Sequence, residues 1–93
     1  MSTDRWSDAA LRADLNSPLR GSRAAAEILL AVPEEVRSDL WAEAWTLGNL
    51  RNGGRFSDDL REAVRVWRST GRFPARAAAA EWRERNSLIS RLI

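Results

Sequence analysis

Every basic side chain in this sequence is an arginine: there are 15 and no lysine. Guanidinium is a planar fork of donors that matches carboxylate and phosphate oxygens two at a time, so recognition of acidic partners is the chemistry this residue choice offers. Arg61, Arg65, Arg68 and Arg72 are spaced by four, three and four. On a helix, at about 100° per residue, they point within ~60° of one another and form one stripe, with Arg76 following in the next segment. Trp41 and Trp45 are four apart, which sets them on one side of the same helix and widens its apolar face, as expected for burial on two sides or for one face left for a partner. Arginine and tryptophan are the residue types that concentrate binding energy at interfaces. These seven residues are therefore the candidate partner-binding set, and the expected partner is a protein with an acidic surface. A solvated helix face is the plainer account of the same arginine spacing.

What the sequence lacks narrows the function classes further. It has no His, no Cys and no Tyr. Serine is left without the usual base, and metal sites without imidazole or thiolate ligands. Asp58-Asp59 and Glu34-Glu35 are read as complements to helix N-termini rather than as catalytic carboxylate pairs. The glycines after Asn52 are too few, and lack the following Lys, to cradle a phosphate. The expectation is a non-enzymatic protein with no metal and no cofactor. No stretch reaches the roughly 20 apolar residues of a membrane span, and the start, MSTDRW, has no signal-peptide pattern. Neither a membrane partner nor a location outside the cytoplasm is expected.

The elements that must position these residues are helical throughout. Alanine, leucine, arginine and glutamate dominate, and no apolar–polar alternation extends over a strand's length. Five segments are predicted in one domain. The first runs from about Thr3, capped by Thr3 or Ser2, to Leu15. The second covers about Leu19 to Val32, with Gly21 weakening its first turn so that Ser22 is an alternative start. The third opens at Pro33 with Glu34 and Glu35 in its first turn. The fourth is capped by Ser57 and ends at Gly71, with Leu60, Ala63, Val64 and Trp67 on its apolar face. The fifth opens at Pro74. The fold class is all-α, a small bundle of four or five short helices with a Trp-rich core. Charge divides along it: through Trp45 eight acids face five Arg, about −3, and from Thr46 ten Arg face five acids, about +5.

The closing stretch, FPARAAAAEWRERNSLISRLI from Phe73 to Ile93, supports two architectures. Ala75, Ala79, Trp82, Asn86, Ile89 and Ile93 recur at four and three, the pattern of one unbroken amphipathic helix. The same residues resemble the helix-turn-helix of Cro-type phage repressors. Ala79 stands where that family has a small residue between its helices, and Ala78, Trp82, Ile89 and Leu92 match its buried positions. The resemblance implies a turn near Arg83 to Ser87. It also implies a recognition helix in which Arg85, Asn86, Ser87, Ser90 and Arg91 face the DNA major groove, where Arg and Asn make bidentate bonds to guanine and adenine. Two functions follow. The first is binding a protein partner, as inhibitors, antitoxins, immunity proteins and phage anti-defence proteins do. The alternative is a DNA-binding transcriptional regulator, with nucleic acid as ligand. A homo-oligomer that buries the tryptophan faces is a third possibility.

Overall fold

The computed structural model describes residues 4–51 and 54–92, and they form five helices in one all-α body with no strand among them. They are α1 (Asp8–Asp14), α2 (Arg20–Leu30), α3 (Glu34–Arg51), α4 (Phe56–Thr70) and α5 (Pro74–Leu92).

Local chemistry sets the boundaries, and it moves several of them from where the sequence put them. α1 starts later than Thr3: Ser7 is its cap, accepting from the Ala10 N–H at 3.2 Å, while Ser2 and Thr3 lie outside the described residues. Trp6 consequently precedes the helix. α2 begins at Arg20 despite Gly21; the Leu19 carbonyl accepts from Arg23 N–H, and the Arg23 guanidinium bonds back to Ser17 O at 2.7 Å. α4 opens at Phe56 with Arg55 as its cap, so Ser57 falls inside the first turn instead of capping it. Gly71 closes α4 with φ of 69°, a left-handed conformation that glycine adopts without a Cβ penalty, and its N–H reaches Trp67 O at 2.7 Å.

The core lies among the first four helices. Leu11 of α1, Ala25, Ala26 and Leu29 of α2, Leu40 and Ala44 of α3, and Leu60, Ala63 and Val64 of α4 are buried together with Val32. Leu29, Leu40 and Leu60 are wholly inaccessible, each worth about 1.5–3 kcal/mol of apolar burial. Tryptophan sits around this core and not at its centre. Trp6, Trp41 and Trp67 pack against it half-buried, while Trp45 and Trp82 are 61% and 65% exposed. Small alanines let the helices approach closely, which leaves the indoles to the rim. Gly48 serves the same end, since a Cβ there would meet Asp59 Oδ2 at 3.1 Å.

Two buried ionic side chains fasten the helices. Arg37 of α3 donates to Leu29 O at 2.8 Å, Val32 O at 3.2 Å and Trp6 O at 2.7 Å, and it pairs with Asp8 at 2.8 Å. One guanidinium thus ties α3 to the end of α2 and to the start of α1. Glu43 of α3 accepts from Ala75 N–H at 2.8 Å and Arg76 N–H at 2.9 Å. Pro74 has no N–H to offer, so these are the first amides of α5, and a side chain from another helix caps them.

α5 is continuous from Pro74 to Leu92, and this decides between the two architectures of the closing stretch. No turn interrupts Arg83 to Ser87, so the pair of crossed helices implied by the Cro-type resemblance is not formed. The reason is local: Ala77 to Arg85 holds good helix formers and no breaker, and Asn86 donates to Trp82 O at 2.8 Å instead of capping a new helix.

Candidate interaction groove between α3 and α5

α3 and α5 run side by side in the same direction, as the pairs Asp39–Arg76 and Glu43–Ala75 at one end, and a depression lined by both Leu50 and Trp82 at the other, require. Among the described side chains of α5, only Ala75 is buried. Because α5 docks along this narrow line, a groove of about 1270 Å³ opens beside it. It is lined by the aromatic rings of Trp41, Trp45 and Phe73, by small residues such as Ala42 and Ala77, and by Arg5, Arg72, Arg76 and Arg83 with one acid, Glu81, among them.

The aromatic wall is braced from behind. Trp41 and Trp45 do not stack on each other; Phe56 of α4 lies against both, at ring-centroid distances of 4.5 and 6.2 Å. Trp6 adds to the row at 5.3 Å from Trp41. The Arg5 guanidinium lies over Trp6 and Trp41, 4.7 and 4.6 Å from their centroids, close enough for cation–π attraction. Arg76 pairs with Asp39 at 2.8 Å, both about half exposed, so the pair leaves charge accessible to solvent.

The structure divides the seven residues read from the sequence. Trp41, Trp45, Arg72 and Arg76 meet in this groove. Arg61, Arg65 and Arg68 line a different depression, against Ile28 and Ala31 of the α2 side. The single stripe fails at Gly71: α4 ends there in the left-handed region, so the 100° rotation does not carry through to Arg72, and Arg72 turns to the other side. The three arginines left on α4 have near partners. Arg61 pairs with Asp58 at 3.2 Å, Arg65 holds both oxygens of Glu62, and Arg68 donates to Ala31 O at 3.2 Å. The Arg65 hydrogen bond keeps the Glu62 carboxyl below its usual range, and Glu62 in turn raises Arg65. Asp59, read as a helix-terminus acid, is buried and also pairs with Arg51 at 3.5 Å.

The alternative, DNA-reading set lies on the far half of α5. Arg85, Ser87 and Arg91 are exposed, Arg85 pairs with Glu81 at 3.1 Å, and Asn86 is half-buried with its amide on Trp82 O. The position of the Ser90 side chain lies outside the described residues. Arg5, Phe56, Phe73 and Arg83 were not singled out in the sequence. Arg5 sits in a polar segment ahead of the first helix, and the two phenylalanines sit at loop–helix junctions, where no periodicity marks them.

No family model, curated protein or solved structure matches this chain. Among the described residues no group of acids is placed to hold a metal ion, and no helix is long and apolar enough to cross a membrane.

Proposed function

We propose that this chain acts without catalysis, by binding a protein with an acidic surface, in the manner of a small inhibitor, antitoxin, immunity or anti-defence protein. The observation that carries the reading is the α3–α5 groove, where the exposed Trp45 and the half-buried Trp41 and Phe73 stand beside four arginines and a single acid, Glu81. Partly exposed aromatic rings supply large contact area at little entropic cost, and guanidinium groups at their edge select carboxylates. A groove this open is poorly suited to closing around a small substrate, whereas it admits a segment of another protein.

The test is affinity capture from a lysate of the native host with the parent protein and with Trp45→Ala and Arg72→Ala. A discrete protein retained by the parent and lost from both variants supports the reading. Tight retention of duplex DNA that weakens steeply with salt, with no protein partner, overturns it in favour of the DNA-binding alternative.

A further inference from the structure

α3 ends at Arg51, level with Trp82 and Arg83 of α5, and α5 continues for about ten further residues, ~15 Å, with no other element packed on it among the described residues. The stripe that docks on α3 through Ala75 and Ala79 does not stop there. It runs on through Trp82, Asn86 and Ile89, and Trp82 and Ile89 are 65% and 54% exposed. Leu50, at the end of α3, adds a further 64%-exposed side chain beside Trp82. A soluble helix spends apolar residues this way where something covers them. A single free overhang of this length is also marginal as an isolated helix.

Charge decides what covers it. On α5, Arg83 lies about 100° to one side of Trp82 and Arg85 about 60° to the other, so arginine flanks the apolar stripe on both edges. Such flanking positions select the partner helix in coiled-coil packing. A second copy of this chain would bring the same arginines to the same seam. Its own acids on α5 do not answer them: Glu84 lies on the opposite face, and Glu81 and Arg85 pair with one another at 3.1 Å along one edge, which leaves Arg83, among the described residues, as the flanking charge without a carboxylate partner. We infer that the overhang of α5 binds an amphipathic helix of a partner protein whose apolar face is edged by Asp or Glu, lying along α5 where α3 leaves off. The inference rests on the reading that this chain acts through a protein partner.

The test uses two synthetic amphipathic peptides of about three heptads, with Leu at the seam and either Glu or Lys at the flanking positions, titrated calorimetrically into the full chain. The parent should prefer the Glu-edged peptide. Trp82→Ala should weaken that binding by about tenfold or more, and the double variant Arg83→Glu/Arg85→Glu should transfer the preference to the Lys-edged peptide. Circular dichroism confirms that each variant is folded. Equal binding of the two peptides, or no binding of either, overturns the inference. If Trp45→Ala and Arg72→Ala weaken the peptide and the overhang variants do not, the peptide sits in the α3–α5 groove. The protein-binding reading then stands and this inference falls. Light scattering that shows a concentration-dependent dimer abolished by Trp82→Ala would also overturn it, in favour of a second copy.

Discussion

At the scale of single residues, Glu43 and Arg37 do the positioning. Both lie on α3 beside the buried Leu40 and Ala44, and both are buried polar groups with every need met. Glu43→Ala would strand the two leading amides of α5, costing about 2–3 kcal/mol because the lost bonds are to a charged acceptor and the Ala75 N–H stays buried. For a domain of this size that is a fall of about 10–20 °C in melting temperature; Glu43→Gln keeps one acceptor oxygen and should lose less. Thermal unfolding of the two variants checks the order. Arg37→Lys should also destabilise, by about 2 kcal/mol, since a point-charge ammonium cannot bond three carbonyls and Asp8 together as the fork does. If urea midpoints for Arg37→Lys and the parent coincide, the guanidinium geometry is irrelevant to the fold. Neither role was legible in the sequence. An acid or an arginine beside a predicted apolar face carries no mark of the backbone atoms that another segment brings to it.

At the scale of elements, the sequence was read well where periodicity was strong and poorly where a chain reversal intervened. The apolar face of α4 through Leu60, Ala63 and Val64 is the face that is buried. The arginine stripe on the same helix was carried one residue too far, across a glycine whose left-handed φ ends the rotation. That single position separates Arg72 from Arg68 and sends it into the groove with the tryptophans. α5 poses the reverse case: the spacing pointed to one helix, a short motif to two, and the helix is continuous. Its two halves should respond differently to a breaker. Ala79→Pro falls where α5 packs on α3 and should cost about 3 kcal/mol or more. Asn86→Pro falls on the overhang. It should remove helical ellipticity while moving the melting temperature by less than about 2 °C, because no tertiary packing is lost with it. Equal destabilisation by both would show that the overhang is braced by the body of the protein.

At the scale of the whole molecule, shape and charge act together. The Cα radius of gyration is 15.4 Å, against about 12 Å expected for a compact domain of this length, and the long axis is 51 Å. The excess comes from α5 reaching past the four-helix body. The charge is as uneven as the shape, acidic through Trp45 and basic beyond it, and α5 carries four of the later arginines against two glutamates outward, about +2, where their field is least offset by the acids of α1 to α3. An acidic partner should therefore be drawn to this end before any contact forms. Steering of that kind acts on the encounter, over about a Debye length, which shrinks from ~8 Å at physiological salt to ~3 Å at 1 M. Association with the Glu-edged peptide should accordingly slow steeply across that range, while dissociation, governed by the Trp82, Leu50 and Ile89 surface that the peptide covers, should change little. Stopped-flow mixing followed by tryptophan fluorescence separates the two rates. A salt effect confined to dissociation would mean that the arginines act only as contacts in the finished complex, and that the polarity of the molecule plays no part in finding its partner.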